Sequence, residues 1–352
     1  MSPASIPVTL ITGFLGAGKT TLLNHLGAAG GLTDTLVVIN EFGQVGLDHL
    51  LMIEAKDELV VELSDGCVCC TLHGDLTRAL LDSLDQRHLN GKPPFARVVI
   101  ETSGVSDPSS IAKALIVDPD LRDLFHLEAV VTLVDAGQGA DNLEAFEEAS
   151  AQVALADLIL VSKCDEVGSD IRSALLQDLT LRNPFAKVLE ISATSVDPRD
   201  VFDADLSLRR PLIELGAPPP SWASSSMGLA GGLPSSHGIP ATTGHALRYQ
   251  VVSYESDLPL SRAAVDGWFK AVVPLLGKDI LRYKAILNVE DHEEALVLHA
   301  VQGVTSSPMW LDHWPSSKRT SRMIFISERS VQPLLQPGLD AFFARSFRPK
   351  IA

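Results

Sequence analysis

A chain of 352 residues is long enough for about two domains, each with a sizeable hydrophobic core. Its 28 Lys and Arg against 44 Asp and Glu give a formal net charge of −16, which argues against nucleic acid as a partner because phosphate backbones attract clustered positive charge. A composition of 46% hydrophobic and 20% charged residues excludes a disordered or fibrous protein, and no apolar run approaches the about 20 residues of a membrane-spanning helix.

The N-terminal residues 1–7 carry no recognisable signal peptide and lead directly into an apolar run, Val8–Thr12, that predicts a strand. Residues 13–20 follow and match G-x-x-x-x-G-K-S/T, with a helical pattern over Thr21–Leu26. A strand, a glycine-rich turn and a helix in this order predict a phosphate-binding loop of a nucleotide triphosphate site. We therefore expect a cytoplasmic nucleotide-binding protein with no membrane partner.

In such a loop the backbone N–H groups surround phosphate oxygens, and single side chains contact the phosphates and the metal ion. Lys19 is expected to reach the β- and γ-phosphates as a catalytic residue, and the Thr20 hydroxyl to bind Mg²⁺. The predicted nucleotide-binding residues of the loop are Gly13, Gly16, Ala17, Gly18, Lys19, Thr20 and Thr21.

The second predicted strand, Leu36–Asn40, runs into Asn40–Gln44. This segment is placed to act as a switch that contacts both the nucleotide and a metal ion, with Glu41 as the candidate ligand. Taken alone, the same residues would describe an ordinary strand-to-loop turn.

Three of the four cysteines, Cys67, Cys69 and Cys70, fall within four positions, which is not a disulfide framework. In an extended segment Cys67 and Cys69 point to the same side and can chelate a borderline cation such as Zn²⁺. A tetrahedral site needs further ligands, and Glu41, Cys70 and His73 are the nearest candidates in sequence. The alternatives are buried small side chains or a redox pair.

The apolar run Val98–Glu101 predicts a strand that ends in a carboxylate. Glu101 would act through the Mg²⁺ shell or orient the attacking water, and the N–H of Gly104 could contact the γ-phosphate. The alternative is a buried strand that ends at a solvated glutamate and a turn.

A further predicted strand, Leu158–Ser162, is followed by Lys163-Cys164-Asp165. A carboxylate at Asp165 can accept both the N1–H and the exocyclic amine of guanine, a donor pair that adenine lacks, so guanine is the expected base. Lys163 would cover the base, and the backbone of Ser192 and Ala193 could touch its carbonyl oxygen. The usual signature of GTPases begins with Asn, and Ser162 departs from it.

Strand-length and helix-length patterns alternate as far as about residue 193, which predicts an α/β domain with a mainly parallel sheet covered by helices. Residues 215–247 contain no Asp, Glu, Lys or Arg and are rich in Pro, Gly and Ser. We therefore expect a nucleotide-binding domain over 1–212, a linker over 213–246 and a small α+β domain over 247–352. The strands expected in that last domain are Arg248–Glu255, Leu281–Val289, Glu294–Val304 and Met323–Ser327.

Taken in order, these motifs resemble the CobW-type metallochaperone GTPases, relatives of UreG and HypB. The tail resembles the C-terminal domain of that family, so the likeness spans nearly the whole chain. It is carried by Gly13–Thr21, Asn40–Gly43, Gly66–Cys70, Glu101–Gly104 and Ser162–Asp165.

The resemblance implies a P-loop GTPase domain that hydrolyses GTP with Mg²⁺ and delivers Zn²⁺ or Co²⁺ to a client metalloprotein. Its implied metal ligands are Glu41, Cys67, Cys69 and Cys70. Gln44 stands where many members carry Glu, and only His237 and His245 lie near the domain junction, where many members have a His-rich run.

Two other hypotheses about the function stay open at this point. One is a P-loop kinase or ATPase in which the cysteines sense redox state, and the other is a nucleotide-gated binding module whose hydrolysis is incidental. Asp165 and the Cys67–Cys69 spacing favour the metallochaperone over the kinase. The sequence carries no signal for an oligomeric state.

Overall fold

The structure is a computed structural model, and the described residues fall within two compact units, Met1–Ser207 and Leu208–Ala352. The predicted linker, 213–246, lies outside these residues. The described ranges are 5–39, 59–62, 71–184, 186–192, 196–202, 249–272, 277–305, 308–311, 314, 318–328, 335 and 337–338.

The first unit contains a seven-stranded sheet in which every neighbouring pair is parallel. The strand order is β3-β2-β4-β1-β5-β6-β7. The strands are β1 (Ile6–Gly13), β2 (Thr35–Ile39), β3 (Leu59–Glu62), β4 (Arg97–Glu101), β5 (Phe125–Asp135), β6 (Leu158–Ser162) and β7 (Lys187–Glu190). The predicted fold class is confirmed; β3, at the edge of the sheet, was not predicted.

Helices connect β1 to β2 and each successive strand from β3 to β7, as parallel strands require, and one further helix follows β7. They are α1 (Lys19–Ala28), α2 (Thr71–Leu89), α3 (Ser109–Val117), α4 (Gly139–Ala145), α5 (Glu147–Leu155), α6 (Ser169–Arg182) and α7 (Pro198–Phe202). Two apolar clusters cover opposite faces of β5 and β6, one with Leu23 and Leu26 of α1 and the other with Leu175 and Leu179 of α6. Every residue of β2 and β6 is buried, which explains why both strands are apolar along nearly their whole length.

The second unit is built on an antiparallel sheet ordered β11-β10-β9-β13-β8, with β12 paired to β10. Its strands are β8 (Tyr249–Ser256), β9 (Ile280–Asn288), β10 (Ala295–Val301), β11 (Val304–Thr305), β12 (Met309–Leu311) and β13 (Ser321–Glu328). A helix, α8 (Arg262–Gly267), continues into a π-helical segment, Trp268–Val272. Trp268, Tyr283 and Phe325 are almost completely buried in its core, and the predicted α+β architecture is confirmed.

Within the described part of the chain, no helix has both the length and the apolar character needed to cross a membrane.

Candidate functional site

The carboxyl end of β1 leads into a loop whose shape requires glycine at three positions. Gly13, Gly16 and Gly18 have positive φ angles of 141°, 72° and 97°. Residues other than glycine rarely adopt such angles. A Cβ on Gly13 would also lie 2.4 Å from the carbonyl oxygen of Leu133 in β5. The loop thus curls tightly against the sheet and ends where α1 begins at Lys19, so the N–H groups of the first helical turn face it.

Lys19 folds back over this loop. Its Nζ donates to the carbonyl oxygens of Gly13 at 2.9 Å and Phe14 at 3.3 Å, and the residue is only 9% exposed. The sequence GKT therefore places a largely buried lysine beside the N-terminal turn of α1, and a positive charge next to helix N–H groups is an arrangement that binds phosphate.

Two predicted residues that are 81 positions apart meet beside Lys19. The hydroxyl of Thr20 donates to Oε1 of Glu101 at 3.0 Å. Glu101 ends β4, next to β1 in the sheet, and is 2% exposed. A carboxylate and a hydroxyl are hard oxygen ligands, so this pair fits the Mg²⁺ ion that accompanies a nucleotide triphosphate.

The segment that follows β4 packs directly on the phosphate loop. A Cβ on Gly104 would lie 2.7 Å from Cδ2 and 2.8 Å from the backbone nitrogen of Leu15. Only glycine allows this approach. Two residues before Gly104, the Thr102 hydroxyl donates to the hydroxyl of Thr12 at 2.8 Å, which joins the ends of β4 and β1.

The loop after β6 lies against the same site. Lys163, in the left-handed conformation with φ of 55°, donates from Nζ to the carbonyl oxygen of Gly16 at 2.8 Å. The Ser162 hydroxyl donates to the carbonyl oxygen of Ala17 at 2.8 Å. The serine that stands in place of the usual Asn therefore keeps a direct contact with the phosphate loop. Asp165 is exposed in the short helical turn Cys164–Glu166, where its carboxylate is accessible to the guanine base of a nucleotide.

Of the two residues predicted to touch the carbonyl oxygen of the base, Ser192 is exposed just after β7, and Ala193 lies outside the described residues. Nε2 of His25 in α1 lies at hydrogen-bond distance, 2.9 Å, from the carbonyl oxygen of Val196. This contact connects the chain that follows β7 to the helix that follows the phosphate loop.

Asp135 belongs to the site but was not predicted. Its Oδ2 accepts from Nζ of Lys163 at 2.6 Å, and its Oδ1 accepts from the N–H groups of Gly137 and Gln138 at 2.7 and 3.1 Å. Burial raises the pKa of Asp135, but Lys163 and the two N–H groups outweigh it and hold the pKa below its ordinary value. Asp135 ends an apolar strand, as Glu101 does, and that position was the available sequence signal.

The predicted metal ligands Glu41, Cys67, Cys69 and Cys70 lie outside the described residues, as does the predicted switch over 40–44. Among the residues that are described, no group of three or more His, Cys, Asp or Glu could hold a metal ion. Cys164 is buried, and burial raises the pKa of its thiol, so it is unsuited to bind a metal as a thiolate. The cysteine site stays a prediction.

A glycine-shaped loop with a buried lysine, next to a strand that ends in a buried carboxylate, defines a P-loop nucleotide-binding protein. Residues 7–190 match the CobW/HypB/UreG nucleotide-binding domain, and residues 249–343 match the C-terminal domain of the cobalamin synthesis protein CobW. The chain therefore belongs to the CobW/HypB/UreG family, as its motifs predicted.

Curated relatives include zinc chaperones. The zinc chaperone YjiA of Escherichia coli (strain K12) is 31% identical over 91% of this chain and 93% of its own length. The zinc-regulated GTPase metalloprotein activator 1 of Schizosaccharomyces pombe is 32% identical, over 57% of this chain and 49% of its own length. The crystal structure of Zn(II)-bound YjiA GTPase from E. coli, 25% identical, matches 98% of this chain and 100% of that chain with a TM-score of 0.65.

Proposed function

We propose that this protein is a GTP-hydrolysing zinc chaperone that binds Zn²⁺, or Co²⁺ as the alternative cargo, and delivers it to a client metalloprotein. The observation that carries the proposal is the meeting of Lys19, Thr20 and Glu101 in a chain related over 91% of its length to a zinc chaperone. The GTPase activity is assigned to residues 1–212, and contact with the client to residues 247–352.

The site's own residues suggest how hydrolysis proceeds. The Lys19 ammonium exchanges its backbone carbonyl partners for the β- and γ-phosphates, and the N–H groups of the loop and of the first turn of α1 surround the phosphate oxygens. Thr20 and Glu101 would hold Mg²⁺, which when bound neutralises charge on the phosphates. The alternative role of Glu101 is to orient the attacking water, and the N–H of Gly104 is proposed to contact the γ-phosphate.

Guanine selectivity is assigned to Asp165. Replacing it with Asn removes the charge and turns one of the two carboxylate acceptors into an NH2 donor, so one hydrogen bond to guanine is lost; GTP affinity should fall roughly 100-fold, the effect of about one hydrogen bond to a charged group. Xanthosine triphosphate, which has a carbonyl in place of the amine, should bind the variant better than it binds the wild type. Fluorescence titration with both nucleotides measures the two affinities.

The matched control is Asp170→Asn, the same change at an exposed position of α6. It should leave both affinities unchanged. An unaltered ratio of the two affinities in Asp165→Asn would contradict the assignment.

The metal site is placed at Cys67 and Cys69, with Cys70 and Glu41 as further ligands. Binding of GTP is proposed to draw the segments 40–44 and 67–70 together, and hydrolysis to release them so that the ion passes to the client. Coupling free energies of this kind are typically about 1–3 kcal/mol, or about 5- to 150-fold in affinity.

The deciding experiment is competition for Zn²⁺ against a chromophoric chelator. Wild type is compared with the double variant Cys67→Ser, Cys69→Ser, each with GDP and with a non-hydrolysable GTP analogue. We expect the wild type to bind one Zn²⁺ per chain about tenfold more tightly with the analogue, and the double variant to lose this site, because a hydroxyl is a poor ligand for Zn²⁺.

Cys164→Ser serves as the control, since it makes the same change at a buried thiol of the base loop. It should bind Zn²⁺ as the wild type does. Zinc affinity that is unaffected by the double substitution would overturn the cysteine site, and equal affinity in both nucleotide states would overturn the coupling.

A further inference from the structure

The loop that follows Glu101 is held by a side chain that the mechanism above does not use. Gln152, in the middle of α5, is 1% exposed. Its Nε2 donates to the carbonyl oxygen of Gly104 at 3.0 Å and to that of Ser106 at 3.1 Å. Both hydrogens of one amide are thus directed at two backbone groups of a single turn, 46 to 48 positions away in the chain.

Gln152 is itself fixed in place. The Thr132 hydroxyl of β5 donates to the backbone carbonyl oxygen of Gln152 at 2.8 Å. At the end of the same helix, Nδ2 of Asn183 donates to the carbonyl oxygens of Val153, Ala154 and Ala156 at 2.8, 3.2 and 3.0 Å. The glutamine therefore extends from a helix that is anchored to the sheet and to the end of α6. Its amide can hold the loop in one position relative to that helix.

The opposite side of the loop contacts the phosphate loop, because Gly104 packs on Leu15 without room for a Cβ. The turn also closes on itself, with the N–H of Ser106 donating to the carbonyl oxygen of Ser103 at 3.1 Å. Gly104 is therefore held between α5 and the phosphate loop. Its N–H, the group assigned to the γ-phosphate, has its position set from behind by Gln152.

We propose that Gln152 is a positioning residue that sets the Gly104–Ser106 turn for recognition of the γ-phosphate, and so makes the site distinguish GTP from GDP. The inference rests on the proposed function, because it assigns the turn its role in a GTPase. GDP is held by Lys19 and the first turn of α1, which Gln152 does not touch. Loss of the amide should therefore weaken binding of the triphosphate selectively.

The test is Gln152→Met, which keeps the length of the side chain and removes both donors. Affinities for GDP and for a non-hydrolysable GTP analogue are measured with Mg²⁺, together with single-turnover hydrolysis of GTP. We expect affinity for the analogue and the hydrolysis rate to fall about tenfold, the effect of about 1.4 kcal/mol, while GDP affinity stays within about twofold.

Asn183→Leu is the matched control, because it removes a buried amide that holds the other end of the same helix and does not contact the turn. It should lower the melting temperature comparably and leave the ratio of the two nucleotide affinities at its wild-type value. This comparison separates a positioning role from a general loss of stability.

An unchanged affinity ratio in folded Gln152→Met would overturn the inference, as would an equal loss for both nucleotides. If the variant does not fold, hydrogen exchange of the wild type replaces it: residues 104–106 should gain protection with the GTP analogue over GDP, and equal protection would overturn the inference. A wild type that binds no guanine nucleotide would overturn the proposed function together with it. A wild type that hydrolyses GTP beside an unaffected Gln152→Met variant would overturn the inference alone.

Discussion

Lys19→Ala should lower the affinity for GTP at least about 100-fold and abolish measurable hydrolysis. Lys19 is 9% exposed, and its ammonium donates to the carbonyl oxygens of Gly13 and Phe14 in the loop. Two charge-assisted hydrogen bonds to phosphates would be worth about 1.5–3 kcal/mol each, and both are lost. Isothermal titration with GTP and Mg²⁺, and a phosphate-release assay, measure the two quantities.

The fold should survive this substitution, because the loop's shape depends on glycine conformations and not on the lysine side chain. Lys113→Ala, at an exposed position of α3, is the control and should bind and hydrolyse GTP normally. If Lys19→Ala kept wild-type affinity, the phosphate-loop assignment would be wrong. A folded Lys19→Ala protein that still bound its partner protein equally well would instead favour a binding module whose hydrolysis is incidental.

The central part of the site could be predicted from sequence. Local patterns identify the phosphate loop and the strand that ends in Glu101, and the rules of parallel sheets predict that the two lie close together. Gly13 and Lys19 belong to one motif, and Glu101 ends a separate apolar strand. In a parallel sheet the carboxyl ends of neighbouring strands meet at one edge, and β4 lies beside β1. The contact between Thr20 and Glu101 follows from these two facts.

Other features depend on contacts that no local pattern reports. The amide of Gln152 reaches a turn 48 positions earlier, and Asp135 binds a lysine 28 positions later. The edge strand β3, Leu59–Glu62, was missed although it is as long as the predicted strand Val98–Glu101; it is recognised as a strand by its pairing with β2. Ser162 departs from the usual motif, yet its hydroxyl bonds to Ala17. Only the three-dimensional structure reveals that contact.

Glu101→Gln should reduce hydrolysis about 100-fold or more and remove most of the gain in GTP affinity that Mg²⁺ provides, while GDP binding without Mg²⁺ stays close to wild type. The amide keeps the shape of the side chain and an oxygen that can accept from Thr20, but it lacks the negative charge that a Mg²⁺ site requires. Nucleotide titrations with Mg²⁺ and with EDTA, and single-turnover hydrolysis, measure these effects.

The same variant also distinguishes a functional carboxylate from a structural one. Glu101 is 2% exposed, and burying a negative charge to this extent lowers the free energy of unfolding because the carboxylate loses its hydration. We therefore expect the melting temperature of nucleotide-free Glu101→Gln to equal or exceed that of the wild type, whereas Glu144→Gln, at an exposed position of α4, should change neither stability nor hydrolysis. A large loss of stability with unchanged Mg²⁺ dependence would assign Glu101 a structural role and leave the attacking water to be oriented by another group.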